Sequence, residues 1–383
     1  MRFMAHTFDV CIRGAGIVGR TLALLLARER LRVALVANPS PAGTEPDVRA
    51  YALNTASRSL LESLRVWPDP VHATPIRHME VFGDVDGSVH FDAGVHEVDA
   101  LGWITDVAAL ETRLTEAVRY QPMVEVVNQP VDAPLTAICE GRASQTRAEL
   151  GVEFDITPYP QHALATRLRC ELPHAQVARQ WFSADGILAF LPMEGESGQT
   201  VAVVWSTTPE NAQQWKTAEP AAFTAHLQQL SQNALGALEL AGPRMSWPLQ
   251  QAVAARWCGP MPATVGHATP AGQERSWVLA GDAAHTVHPL AGQGLNLGLA
   301  DVQALGRLLQ EREWRSTGDL KLLRKYERER KAGIATMGLA MDGLQQLFSR
   351  SEAPLQALRN WGMKGFERSG PLKDWMARQA MGL

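Results

Sequence analysis

A mixed α/β fold, in which a parallel βαβ domain is interrupted by an antiparallel sheet and closed by helices, is predicted by three observations. A β-rich run, Phe8 to Arg13, leads directly into Gly14-Ala15-Gly16-Ile17-Val18-Gly19 and a helical stretch. Four apolar runs separated by turn residues read as successive antiparallel strands between His162 and Thr207. A second passage of strand, Gly-rich turn and helix follows at Ser276 to Leu309. Strands lodged between two α/β stretches argue for a second domain inserted into the first, with the chain crossing back.

The chain has 383 residues, enough at roughly 150 residues per domain for two domains and an internal site. With 46% hydrophobic and 20% charged residues it is an ordinary globular composition, which excludes a disulfide miniprotein and a disordered chain. Its 36 Lys and Arg against 40 Asp and Glu give a net charge of −4, so no global field draws a polyphosphate and no nucleic-acid partner is expected. Cys11, Cys139, Cys170 and Cys258 are too dispersed for a metal-ligand pattern and read as small buried residues. Arg28, Glu29, Arg30 and Arg32 interrupt the most apolar stretch, Thr21 to Ala37, so no membrane span is expected. The first apolar segment runs into a glycine motif rather than a cleavage site, which gives a cytoplasmic expectation.

The first βαβ unit continues with a helix over Arg20 to Glu29 and a strand over Leu31 to Val36. Its glycines have the dinucleotide-binding spacing: Gly14 for the tight turn, Gly16 for backbone approach to a pyrophosphate, Gly19 for helix–strand packing. Where a carboxylate normally closes the second strand this chain has Asn38, whose amide reaches a ribose hydroxyl without charge assistance. A helix is expected over Thr55 to Leu64, short strands over Pro75 to Phe91, and a helix over Asp106 to Tyr120. Strands are expected at His162–Leu172, Gln176–Phe182, Gly186–Pro192 and Thr200–Thr207, followed by a helix over Pro220 to Leu235. The implied division is a discontinuous cofactor domain (1–74, 100–160, 270–330), a substrate domain (75–99, 161–269) and a C-terminal helical segment (331–383).

The strand Ser276 to Leu279 enters Gly281-Asp282-Ala283-Ala284-His285-Thr286-Val287-His288-Pro289-Leu290-Ala291-Gly292-Gln293-Gly294-Leu295-Asn296 and a helix to Leu309. An Asp after a Gly at a strand end is placed to accept hydrogen bonds from a polyol, and a Gly-rich turn opening a helix offers N–H groups to a developing anion. That pair suits a flavin better than a nicotinamide.

These two motifs resemble those of the class A flavoprotein monooxygenases, which have the para-hydroxybenzoate hydroxylase-like fold. Asp47-Val48-Arg49-Ala50-Tyr51-Ala52-Leu53, Gly186 to Pro192, Leu358-Arg359-Asn360 and Ala380-Met381-Gly382 are similar to stretches of the ubiquinone-biosynthesis aromatic hydroxylases within that family. The resemblance implies a Rossmann-like FAD-binding domain with an interleaved antiparallel-sheet substrate domain and C-terminal helices. It implies that Gly14, Ala15, Gly16 and Gly19 receive the FAD pyrophosphate, that Arg49 lies beside the cofactor, and that Asp282 holds the ribityl chain. Pro289 would then shape the loop over the ring, which Gly292, Gly294, Leu295 and Asn296 frame. A third family motif, an Asp-Gly touching FAD and the nicotinamide donor, is altered here to Glu140-Gly141, which moves the carboxylate by over an ångström.

The implied activity is hydroxylation of a hydrophobic, polyprenylated phenol with NAD(P)H and O2; no catalytic base is identifiable, and no metal is expected. His285 and His288 read as loop-filling, with proton transfer near the flavin and metal binding as alternatives. Arg49 could equally be a surface arginine. Met337, Met341, Leu344 and Phe348 recur at helical spacing as a core stripe. From Arg350 to Leu383 six basic residues face three acidic ones, a balance of +3 with Trp361, Phe366 and Trp375 interleaved. That segment is either a membrane or complex contact, placing the protein peripherally at the inner membrane, or a solvated helix. Two rivals stand beside the hydroxylase. Halogenation or prenyl reduction on the same fold is disfavoured by the missing WxWxIP element. A degenerate flavoprotein kept as an accessory subunit of a quinone-biosynthesis complex is kept alive by Asn38 and Glu140, and the intact segment Gly281 to Asn296 weighs against it.

Overall fold

The structure is a computed structural model and describes residues 8–37, 48–83, 87–262, 275–286 and 293–349, with side chains in the last stretch from 294 to 334. Eight helices lie in these residues: α1 (Ile17–Arg28), α2 (Thr55–Ser63), α3 (Val107–Arg119), α4 (Gln145–Glu149), α5 (Pro209–Thr217), α6 (Pro220–Leu230), α7 (Gln293–Gln310) and α8 (Leu320–Ser349).

Six strands form the cofactor-side sheet, in the order Cys258–Pro260, Ser276–Leu279, Leu135–Ile138, Val10–Arg13, Val33–Val36 and Val124–Val127. All neighbours are parallel except the first pair. The inner strands are continuous apolar runs rather than alternating ones, as expected of parallel strands covered on both faces. Leu22, Leu26, Leu35, Leu110, Leu114, Leu135 and Leu305 meet in one core that joins α1, α3 and α7 to this sheet. Asp106 starts α3 by accepting the Ala109 N–H, and Asn54 starts α2 by accepting the Ser57 N–H.

A nine-stranded, mainly antiparallel sheet forms the second layer. It runs from His285–Thr286 through Met245–Ala254, Phe154–Cys170, Thr200–Thr207, Gly186–Met193, Val177–Ser183 and His78–Phe82 to Ser88–Asp92, with Leu238–Leu240 beside the long strand. Trp181, Phe190, Trp205 and Phe223 fill the core between this sheet and α6. A three-stranded sheet, Ala50–Leu53, Gly102–Asp106 and Ala73–Ile76, packs Ile76 and Ile104 against Met193 and Ala202 of the larger sheet.

Several elements depart from the sequence expectation. The strand Phe154–Cys170 begins eight residues before His162, so residues 154–160 belong to the antiparallel sheet and not to the cofactor domain. Cys258–Pro260 is in turn the edge of the parallel sheet, inside the span assigned to the substrate domain. Helix α6 stops at Leu230 and not at Leu235, because Gln232, Asn233 and Gly236 adopt positive φ (53°, 56° and 69°). The Met337 to Phe348 stripe falls in α8 where side chains lie outside the described residues, as does the segment 350–383. Cys11, Cys139, Cys170 and Cys258 are buried free thiols, as read from their spacing. Among the described residues no helix is long and apolar enough to cross a membrane.

Candidate active site

The glycine motif lies where the strand Val10–Arg13 turns into α1. Gly14 has φ +106°, and a Cβ there would sit 2.5 Å from the Cys139 carbonyl oxygen; a Cβ on Gly19 would overlap the Gly14 carbonyl. Both close approaches demand glycine. Gly16 differs: nothing lies within 4 Å of its missing Cβ. It caps α1 without any side-chain hydrogen bond, leaving the N–H groups of the first turn open to a ligand.

Helix α7 runs beside α1 in the same direction. A Cβ on Gly298 would come within 2.8 Å of Val18, and one on Gly306 would overlap Leu25, so glycines set the close crossing. Both N-termini therefore open at one end, and among the described residues nothing lies within 4 Å of a Cβ on Gly294 in the first turn of α7. Two adjacent helix N-termini with open glycine backbone make an extended cradle of positive potential, which fits a dinucleotide with an anion at each helix.

Asp282 lies in a single 3-10 turn, Gly281–Ala283, between the two helices. Asp282 is exposed, though surrounding protein atoms partly desolvate its carboxylate. That desolvation pushes its carboxyl above the ordinary value, against the pull of His285, Arg142 and Arg49. Arg49 is exposed, with Nη1 3.5 Å from the Tyr51 hydroxyl, and its charge is felt at Asp282.

What holds Asp282 in place was not legible in the sequence. Asp301, fully buried on α7, accepts the Gly281 N–H (2.8 Å), the His285 Nε2–H (2.7 Å) and the Arg330 Nε–H of α8 (2.7 Å). Burial raises the Asp301 carboxyl, but His285 and Arg330 outweigh it and hold the group below its usual range. His285 stacks on Trp257, ring centroids 5.0 Å apart, and Tyr326 donates its hydroxyl to the Leu279 carbonyl. His285 thus pairs with a carboxylate rather than with loop carbonyls, and among the described residues no three His, Cys, Asp or Glu converge as metal ligands. Arg147 ties the turn from the other side: it donates to the carbonyls of Ala283 (3.0 Å) and Arg142 (2.8 Å), its guanidinium 3.6 Å from the Phe154 ring centroid. The one sequence signal was an Asp at an apolar position of the helical repeat Leu295 to Leu309.

Comparison with known proteins decides what the cradle holds. Residues 100–337 match the FAD binding domain family. The chain is 31% identical to the 3-demethoxyubiquinol 3-hydroxylase of Escherichia coli (strain K12), over 98% of each chain. It belongs to the class A FAD-dependent monooxygenases, in the branch of the ubiquinone hydroxylases. Another member, the ubiquinone hydroxylase UbiL of Rhodospirillum rubrum, is 29% identical over 98% of this chain and 89% of that protein. The p-nitrophenol 4-monooxygenase PnpA of Pseudomonas putida DLL-E4 shares the fold: TM-score 0.74 at 18% identity, covering 98% of this chain and 96% of that one.

In this FAD-dependent monooxygenase the remaining predicted residues divide by what their side chains touch. Ala15 is half-buried and packs on the core, and Leu295 is buried in it, so the side chain of neither is presented to a ligand. Asn296 accepts the Asn54 N–H (3.0 Å) and the Ser57 hydroxyl (2.7 Å) and donates to the Ala52 carbonyl (2.8 Å). Its side chain therefore staples α7 to the strand that follows Arg49. Glu140 accepts from the Ser144 hydroxyl (2.7 Å), the Thr146 hydroxyl (2.6 Å) and the Thr146 N–H (3.0 Å), with Arg13 Nε 3.2 Å away. Burial raises its carboxyl, and these donors bring it below the ordinary value. The longer side chain thus organises its own loop and the start of α4. Asn38, Pro289, Gly292 and His288 lie outside the described residues.

Proposed function

We propose that the protein hydroxylates a hydrophobic, polyprenylated phenol with FAD, NAD(P)H and O2 in ubiquinone biosynthesis. The observation that carries this reading is the pair of open glycines, Gly16 and Gly294, at neighbouring helix N-termini with Asp282 between them. The printed activities of the relatives supply the substrate class. When bound, FAD supplies hydride acceptance from NAD(P)H and activation of O2.

This chain's residues bind and orient. The first-turn N–H groups of α1 would hold the pyrophosphate, the Asp282 carboxylate would accept ribityl hydroxyls, and the N-terminus of α7 would favour negative charge on the ring. Asp301, His285, Arg330 and Arg147 keep Asp282 fixed, so orientation needs no rearrangement during turnover. The antiparallel sheet supplies the face against which the phenol lies and from which water is excluded. The substrate is a small hydrophobic molecule rather than a nucleic acid. The protein works peripherally at the membrane, and the basic, Trp-containing segment 350–383 contributes to membrane or complex contact.

The test is a visible absorbance spectrum of the purified protein, followed by anaerobic NADH or NADPH with and without a short-chain prenylphenol. A bound-flavin spectrum that bleaches faster with the phenol present is expected. Colourless protein that cannot be reconstituted with FAD would sink the enzyme reading and leave the accessory-subunit one.

A further inference from the structure

The turn between α7 and α8 lies at the opposite end of α7 from the cofactor cradle, about 27 Å away for 18 residues at 1.5 Å each. Trp314 in that turn is 87% exposed, more than any other large hydrophobic side chain among the described residues. Beside it Arg312, Arg315, Lys321, Lys325 and Arg328, with the carboxylates Glu311 and Glu313, line a cavity of about 290 Å³. Lys321, Lys325 and Arg328 follow at i, i+4 and i+7, so they share one exposed face of α8.

Five cations outnumber the two carboxylates, Glu311 and Glu313, on this cavity, and the other nearby acids are engaged elsewhere. Glu311 and Glu329 pair with Arg307, and Glu327 pairs with Lys331. Asp319 accepts the Lys321 and Leu322 N–H groups at the start of α8. Among the described residues no carboxylate lies within ion-pair distance of Arg315, Lys321, Lys325 or Arg328, so four cations face solvent beside one bare indole.

We infer that this corner is a docking surface for an anionic phospholipid bilayer. An indole seats at the level of lipid headgroups, and clustered Lys and Arg are drawn to anionic lipid. A protein partner fits less well, because interface cores are depleted in lysine and built on contiguous apolar surface, and here a single ring stands among cations. The chain's own segment 350–383 is itself basic, by six residues to three, and is repelled rather than recruited. With a net charge of −4 overall, the surface outside this corner and the basic segment 350–383 is pushed away from an anionic membrane while this corner is pulled toward it, which orients the protein. The inference rests on the proposed function for its purpose: it keeps the enzyme at the bilayer that holds a polyprenylated phenol, with the cofactor end left free.

The test is co-sedimentation of the FAD-loaded full chain with vesicles of phosphatidylcholine alone or enriched in phosphatidylglycerol, at low and high salt. Binding to the phosphatidylglycerol vesicles, weakened by salt, is expected. The triple variant Lys321→Glu, Lys325→Glu, Arg328→Glu should lose on the order of 100-fold in partitioning, from about 1 kcal/mol per basic residue, and Trp314→Ala should weaken binding without changing its salt slope. In every variant FAD retention and NAD(P)H oxidation with a water-soluble phenol should match the parent, so a failure of docking is distinguishable from a failure of the hydroxylase reading. Absence of vesicle binding, or binding that neither variant weakens, overturns the inference; so does capture by an acidic protein partner without affinity for vesicles.

Discussion

Asp301 carries more of the site than any residue that the motifs single out. It makes no approach to the cradle, yet its two oxygens gather the backbone of Gly281, the ring of His285 and the guanidinium of Arg330. A buried carboxylate among such partners is favourable only as a complete set, because removing one member leaves an uncompensated charge in low dielectric. Asp301→Asn keeps the shape, but leaves Arg330 facing a neutral amide. It should cost about 3 to 5 kcal/mol of unfolding free energy, measured by urea denaturation, and should also weaken FAD binding by freeing the turn that presents Asp282. Unchanged FAD affinity in a variant that is merely less stable would show that the network supports the fold without positioning the ligand. Glu140 follows the same logic nearer the surface, where the added methylene lets one carboxylate reach Ser144, Thr146 and Arg13 together.

Among the elements, α1 and α7 act as a pair, and their glycines do two different jobs. Gly14→Ala places a Cβ 2.5 Å from a backbone oxygen at φ +106°, so it should cost about 3 kcal/mol or more and lower the folded yield. Gly16→Ala places a Cβ in open space at φ −76° and costs only the poorer N-cap, so stability should fall by about 1 kcal/mol at most while FAD affinity falls at least about tenfold. Thermal denaturation and flavin titration of the two variants separate the roles; equal loss of stability would contradict the open-cradle account. These helices were legible because glycine spacing and apolar periodicity are local signals, and the strand Ser276–Leu279 emerged with its expected limits. The strand Phe154–Cys170 was not. Its first half carries Pro158, Pro160 and exposed polar residues, which read as loop, and pairing with Met245–Ala254 makes it a strand, with an irregular register between Pro158 and His162. The Asp301 network escaped detection for a related reason, since Arg330 lies 29 residues away and only the crossing of α7 and α8 brings it near.

At the scale of the whole molecule, the buried titratable groups dictate how stability depends on pH. Asp301 and Glu140 have lowered carboxyl values, so the stability they contribute is fully present above the unfolded value of about 4 and lost as pH falls through their folded values. His174, just before the strand Val177–Ser183 of the antiparallel sheet, acts earlier on the acid side. It is fully buried, its Nε2–H donating to the Met193 carbonyl (2.7 Å) and its Nδ1 accepting the Gln176 N–H (3.0 Å). Only the neutral ring satisfies both partners, because a second ring proton would face an N–H. Burial lowers its value below 6.5, with Arg179 adding to the shift while the Met193 carbonyl and Glu194 oppose it. The unfolded chain therefore takes up a proton that the folded chain refuses, and stability must begin to fall as the pH drops below about 6.5. His226, also lowered by burial, adds to the same slope. A glutamine at position 174 can donate to Met193 and accept from Gln176 without titrating. In His174→Gln, unfolding free energies from urea melts between about pH 7 and about pH 5 should thus decline less steeply than in the parent. Parallel profiles for the two proteins would mean that the His174 ring takes up its proton in the folded state as readily as in the unfolded one.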